Sequence, residues 1–339
     1  MTAAPLAIGV VDQSPVPHGS GAAGALDATL DLARLCDRLG YSRYWLAEHH
    51  STNSFAGSAP EVLIPRVASE TERIRVGSGG VMLPHYSPYK VAEQFRMLET
   101  LFPGRIDLGL GRAPAGTGRA AAALRYGRPG IPVERFPEQI DDLIGWLGEL
   151  FPEDHPNRRV RATPRGTALP EFWVLGSGGS TATVAGGRGL GYCFAQFING
   201  ADGADAIRAY REAFRASPAG SQPRASVAVG VVCAESRDEA EFLALSLHLW
   251  RMRIIGGIDR GIPTPEEADA EFSRRGVARE ELMRDSKVIV GDPGQIRTAL
   301  RSLADHYGVD EVLAVTVTHD PAARLRSYEL VAEAMGLGS

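Results

Sequence analysis

From Ile74 to Arg112 apolar positions alternate with small or polar ones in a way that predicts one βαβ unit. Ile74 to Val76 and Val81 to Leu83 are apolar runs flanking Gly77, Ser78, Gly79 and Gly80, the composition of a buried parallel strand whose backbone passes unusually close to a neighbour. Ser87 and Pro88 supply an N-cap and a first helical position. Val91, Phe95, Leu98 and Phe102 then share one helical face, and Pro103-Gly104 ends the helix. Ile106, Leu108 and Leu110 alternate with Asp107, Gly109 and Gly111, so the next strand delivers Arg112 to its carboxyl end, where parallel α/β sheets bind ligands. A right-handed crossover places Gly79, Gly80 and Arg112 on one rim.

The same grammar recurs along the chain. Leu6 to Val11, Tyr44 to Ala47, Phe172 to Leu175, Tyr192 to Phe197, Ser226 to Val232 and Val312 to Val317 read as buried strands. Helical spacing follows Leu32 to Leu39, with Gly40 as its stop, and recurs from Pro60 to Ala68, Phe136 to Leu150, Asp205 to Arg215, Asp238 to Trp250 and Gln295 to His306. Asp320 before Pro321 caps a final helix. With the strands near 74 and 105 the count is about eight, which favours one (β/α)8 barrel domain, with insertions at the strand carboxyl-end loops, over an open sheet. The insertions are Ala113 to Pro132, read as a long functional loop, and the charged Ile254 to Asp285. Pro152 to Pro170 is polar and Pro-punctuated, and a small hairpin is expected there, outside the main sheet.

Composition narrows the function classes. With 44% apolar and 23% charged residues the 339-residue chain is an ordinary globular one, and its net charge of −5 gives no electrostatic reason to bind nucleic acid. Cys36, Cys193 and Cys233 are scattered in apolar segments and read as buried reduced thiols with no metal-binding spacing. The absence of a basic leader or a bilayer-length apolar run makes a soluble, cytoplasmic protein the expectation.

Three motifs carry candidate chemistry. Gly176-Ser177-Gly178-Gly179-Ser180-Thr181 joins a strand to a helix, so its N–H groups and hydroxyls either cradle a phosphate or form a plain capped turn. It is no Walker loop, because no Lys follows. Gly109-Leu110-Gly111-Arg112 lacks the third glycine of a dinucleotide fingerprint, and its arginine is either a phosphate clamp or the partner of a neighbour such as Glu48. In Glu48-His49-His50 successive side chains point to opposite faces, which disfavours a shared metal ion. One imidazole facing the barrel mouth can exchange a proton; the alternative is a histidine bonded to neighbouring backbone. No GxSxG elbow or thiolate-activating helix start occurs.

The segments WLAEHHSTNSF, VGSGGVMLPHYSPYKVAEQ, PGRIDLGLGR and VTVTHDPAARLRSYELVAEAM together resemble the bacterial luciferase-like flavin monooxygenase family, in order and over nearly the whole chain. The resemblance is to its branch of uncharacterised single-chain oxidoreductases. It implies a (β/α)8 barrel holding FMN at the strand carboxyl ends. By position it implies that Gly79 and Gly80 form a non-prolyl cis peptide beneath the flavin ring and that Arg112 lies near the flavin. Ser177 and Ser180, with Gly178 and Gly179, match the phosphate loop, and His49 matches the active-site histidine. The family's acidic residue in that loop is replaced here by Gly176.

The implied reaction is oxygen insertion into a small organic substrate by a flavin hydroperoxide formed from reduced FMN and O2, with one of the two insertions closing as a lid. No nicotinamide fingerprint is present, so a separate flavin reductase is the expected source of reduced FMN. A homodimer through helices like Pro60 to Thr71 and Pro88 to Phe102 is also implied. The family leaves two further readings, a deazaflavin-dependent reductase or dehydrogenase and a non-catalytic flavin-binding subunit.

Overall fold

A computed structural model of the chain describes residues 6–112, 118–127, 129–199, 202–284 and 286–338. Its strands are β1 Ala7–Asp12, β2 Arg43–Leu46, β3 Arg75–Ser78, β4 Val81–Met82, β5 Ile106–Gly111, β6 Glu171–Gly176, β7 Gly191–Ala195, β8 Ala225–Cys233, β9 Val288–Gly291 and β10 Glu311–Val315. All pairings are parallel, in the order β10-β1-β2-β3-β5-β6-β7-β8, and β8 pairs back onto β10 to close the ring. Of ten strands, β4 joins only β5 and β9 only β8, which leaves eight in the ring. This is the expected (β/α)8 barrel, and its strands are the eight expected from apolar runs.

The glycines of the Ile74 to Arg112 unit have a steric cause. A Cβ on Gly77 would lie 2.3 Å from the Asp107 carbonyl oxygen, one on Gly109 would lie 2.0 Å from that of Ser78, and one on Gly80 would lie 2.8 Å from that of Gly109. The close neighbour is therefore β5, and the approach is locked by the Ser78 hydroxyl, which donates to the Gly109 carbonyl at 2.8 Å and accepts from the Gly109 amide at 3.0 Å. The two apolar runs do not make one strand. β3 ends at Ser78, the Gly79–Gly80 peptide is cis, and β4 restarts against the far end of β5.

The barrel interior is zoned along its axis. At the amino-terminal end Arg43 binds Asp107 at 2.6 Å, Glu171 at 3.2 Å and Glu311 at 2.8 Å, while Arg75 holds the other Asp107 oxygen at 2.7 Å. Each buried charge has a partner, as burial requires; removing one partner from such a network costs about 3–5 kcal/mol. Above it Trp45 and Trp173 meet edge to face at 5.4 Å, and Arg43 lies 4.8 Å over the Trp173 ring. Asp107 also accepts from the Trp45 indole N–H at 2.8 Å, which ties the two zones. At the carboxyl end the inward positions Ala47, Gly79, Gly111, Ala195 and Gly230 are small, and a cavity opens above them.

Helices cover the outside with the faces their spacing predicts: Leu32, Leu35 and Cys36 from Ala22–Leu39, and Val91, Phe95 and Leu98 from Pro88–Leu101, are buried. Gly40 ends the first of these with φ 84°, where a side chain is disfavoured. Arg324, on the final helix Pro321–Met335, reaches the buried Asp12 carboxylate, which also accepts from the Tyr44 hydroxyl and the Ser14 amide. Burial pushes the Asp12 carboxyl up, but Arg324, Tyr44 and Ser14 together hold it below its ordinary value. Among the described residues no helix is long and apolar enough to cross a membrane, and the three cysteines are buried free thiols.

Four local expectations are corrected. No hairpin forms between Pro152 and Pro170: Arg158 and Val160 donate to carbonyls three residues back, and Arg96 caps the Pro164 carbonyl at 3.1 Å, so this backbone is satisfied without a ladder. The insertion Ala113 to Pro132 is not all loop, since it carries the helix Gly118–Leu124; its residues 113–117 and 128 lie outside those described. The β7 strand stops at Ala195, where Gln196–Asn199 turns helical. β9 was missed because its four residues follow a charged stretch and stand outside the ring.

The close approach yields a test. Gly109→Ala is expected to cost about 3 kcal/mol or more in urea denaturation, or to abolish folding, because backbone must move. Gly111→Ala, whose Cβ would meet nothing nearer than 3.8 Å, should be close to neutral.

Candidate active site

A cavity of about 1190 Å³ occupies the carboxyl-terminal mouth of the barrel. Of the residues singled out from the sequence, His49, Gly79, Gly80, Arg112, Ser177 and Gly178 line it, as do Gly176 and Thr181; Gly179 and Ser180 are exposed and do not line it. The motifs thus converge from the ends of β2, β3, β5 and β6.

His49 follows β2 and is fixed by its own backbone, whose N–H donates to the Gly57 carbonyl at 2.8 Å, and by the Phe55 ring 4.6 Å away. Its buried Nε2 has no hydrogen-bond partner, so the alternative of a histidine satisfied through that atom by neighbouring backbone fails. Burial, with a smaller contribution from His50, lowers its pKa to about 4. The ring is therefore neutral at physiological pH. His50 turns away, as alternation requires, and binds Glu48 at 2.6 Å. Glu48 also accepts from the Tyr86 hydroxyl at 2.6 Å and the Met82 amide at 2.8 Å, which fastens the end of β2 to the residues after the cis peptide.

Arg112 does not pair with Glu48. Its guanidinium instead donates to the Ser180 hydroxyl at 3.2 Å, next to the start of the helix Gly179–Gly187. No side chain caps that helix at Gly178, so its first N–H groups stay open to an anion. Gly176 is sterically required: a Cβ there would sit 2.1 Å from the Thr181 hydroxyl, which itself donates to the Gly178 carbonyl at 2.9 Å. Thr181 fills the space beside Gly176, and the loop presents amides, hydroxyls and one guanidinium.

Sequence reasoning missed the opposite wall. Leu247, His248, Trp250, Arg251, Ile254 and Ile255 of the helix Arg237–Ile255 line the cavity. Their spacing is that of one helical stripe, but that stripe looks like ordinary core from sequence alone. Trp250 packs on Phe55 at 5.1 Å and donates to Ser54 at 2.8 Å. Asp259 accepts from the Asn53 amide at 2.6 Å, and Ile262 exchanges backbone bonds with Val16 and His18 at 2.8 and 2.7 Å. The insertion beginning at Ile254 is thereby anchored as a wall. Among the described residues no group of three or more His, Cys, Asp or Glu is placed to hold a metal ion.

With this geometry in place, comparison with known proteins is informative. The family described as luciferase-like monooxygenase matches residues 6–311. The chain belongs to that family. Its class is accordingly that of the flavin-dependent monooxygenases. It is 43% identical to the protein YwcH of Bacillus subtilis over 97% of this chain and 99% of that one, and 34% identical to the N-acetyl-S-alkylcysteine monooxygenase of the same organism over 97% and 98%. The crystal structure of apo-MsnO8 matches with a TM-score of 0.90 at 39% identity, covering 98% of this chain and 99% of that one.

The low pKa of His49 has a measurable consequence. Because the folded value, about 4, lies below the ordinary 6.5, the unfolded chain takes up the proton first between those pH values, and acidification through that window favours unfolding. His248, lowered to about 4 by burial and then by Arg251, acts in the same sense. Urea midpoints measured from pH 7 to 4 should fall, and the fall should be shallower in His49→Gln and His248→Gln.

Proposed function

We propose that this chain is an FMN-dependent monooxygenase that inserts one atom of O2 into a small organic substrate. The observation that carries the reading is the unpartnered Nε2 of a neutral His49 in a cavity that has the Gly79–Gly80 floor and the Arg112–Ser180 cradle. Ser177, Gly178, Gly179, Ser180 and Arg112 would hold the FMN phosphate, and Gly79 and Gly80 would lie beneath its ring. When bound, reduced FMN supplies the electrons that activate O2.

The remaining chemistry belongs to this chain's own side chains. An imidazole with a pKa near 4 is a poor base at neutral pH, so His49 serves as a neutral hydrogen-bond partner at Nε2 that orients the reacting oxygen rather than deprotonating it. Phe55, Leu247, Trp250 and Ile254 give the cavity an apolar wall that would limit water at the reacting centre once substrate is bound. Reduced FMN would come from a separate flavin reductase. The N-acetyl-S-alkylcysteine activity named for a relative makes thioethers the first substrates to try.

Val62, Met97 and Leu101 are 70%, 51% and 58% exposed on the adjacent helices Pro60–Ser69 and Pro88–Leu101, an apolar face that supports a homodimer. Val62→Glu with Leu101→Glu is expected to shift the sedimentation coefficient to that of a monomer.

The reading is tested by binding reduced FMN anaerobically, admitting O2 and following flavin absorbance by stopped flow. Reoxidation slower than that of free FMN is expected; no binding, or reoxidation at the free rate, would redirect attention to a deazaflavin or to a non-catalytic role. His49→Ala should bind FMN as the unmodified chain does yet lose about 100-fold in turnover, the cost of removing a positioned hydrogen-bond partner.

A further inference from the structure

The cavity-facing stripe of the helix Arg237–Ile255 is apolar except at His248 and Arg251. Among the described lining residues the cations are Arg112, Arg251 and Lys287, and the one carboxylate is Glu48. Glu48 is already engaged by Tyr86, His50 and the Met82 amide, and Arg112 faces the phosphate cradle. Arg251 is different. It is half-buried, it donates to the Phe197 carbonyl at 3.1 Å, and no carboxylate of the described residues lies against it.

A guanidinium offers five N–H donors in a planar fork and does not lose its charge in a protein, so one carbonyl leaves most of its capacity unused. Placing that charge in a largely apolar wall is unfavourable unless something of opposite sign joins it. Burial pulls the Arg251 guanidinium below its ordinary value, as expected of a cation with no counter-charge among the described residues. Beside it His248 is a neutral imidazole, 3.4 Å from the Ser286 hydroxyl, able to add a hydrogen bond without competing charge.

We propose that the substrate carries an anionic group, a carboxylate or sulfonate, and that Arg251 binds it. The apolar stretch of Leu247, Trp250 and Ile254, continued by Phe55, takes the alkyl or aryl body, and the oxidisable atom is directed toward His49. This assignment rests on the monooxygenase reading. It differs from a second phosphate contact for FMN, the other anion that the same guanidinium could meet.

The test uses the full chain saturated with oxidised FMN, titrated calorimetrically with 3-(benzylthio)propanoate, its primary amide and 2-(benzylthio)ethanesulfonate, while the FMN affinity of each variant is measured by flavin fluorescence. At least one of the two anions is expected to bind about tenfold or more tightly than the amide. Arg251→Gln should erase that preference and leave FMN affinity within about twofold, and Arg251→Lys should restore part of the preference. Equal binding of both anions and the amide, or no binding of either anion at about 10 mM, overturns the proposal. So does an Arg251→Gln chain that loses FMN about tenfold while keeping the preference, since the guanidinium then belongs to the phosphate. If Arg251→Gln does not fold, the anion-to-amide comparison on the unmodified chain decides. Failure of the FMN reading is seen separately, as absent flavin binding, with the same anion-to-amide comparison then made on the apoprotein.

Discussion

The close passage of β3 against β5 is the constraint on which the site depends. Three backbone positions, Gly77, Gly80 and Gly109, admit no Cβ, because each would strike a carbonyl of the other strand or of its extension. With those side chains absent, the Ser78 hydroxyl can bond both the N–H and the C=O of Gly109, and the chain leaves β3 inward over the barrel mouth instead of continuing straight. That inward step makes the cavity floor at Gly79–Gly80. It also sets where β5 ends, and so where Arg112 begins.

The axial zoning explains why the cavity opens at only one end. Charged side chains at the amino-terminal end satisfy one another in a dense network, and the Trp45–Trp173 pair seals the space above it. Over that pair the inward positions Ala47, Gly79, Gly111, Ala195 and Gly230 are small, and volume a barrel normally fills with side chains is left for a ligand. Small residues alone would produce a void; the aromatic layer lies beneath its Gly79–Gly80 floor, and the loops give it polar walls. Packing and function are therefore one arrangement.

How much of this could be read in advance follows from where each signal resides. The barrel was legible because each of its eight strands is an apolar run and each strand–helix alternation repeats the same pattern. The βαβ unit was legible in detail because its glycines, capping residues and terminal Arg112 are local features. The Pro152 to Pro170 segment misled because polar, Pro-rich sequence fits a hairpin as well as it fits successive turns, and only the long-range reach of Arg96 distinguishes them. In the site, His49 and the Ser177 to Ser180 loop stood out by residue type at strand ends. His248, Trp250 and Arg251 did not, because a cavity-lining stripe and a core-facing stripe share the same 3.6-residue period. The steric reason for Gly176 was likewise hidden, because it lies in the contact with Thr181 five residues on.

The two arginines of the cavity divide its labour by their surroundings rather than by their chemistry. Arg112 is exposed, bonded to a serine hydroxyl beside an uncapped helix start, in a setting where amide dipoles and hydroxyls already favour a phosphate. Arg251 is half-buried in a helix face whose other members are mostly apolar, and among the described residues its hydrogen-bond partner is the Phe197 carbonyl. The first environment is built from backbone and small side chains and suits a phosphate. The second is built from side chains of one helix, which can change without disturbing the barrel. A fold that builds one end of its cavity from backbone and the other from the side chains of a surface helix can keep the first constant while the second changes. On the proposed assignment, Arg251 is the residue of this chain through which that second kind of change would act.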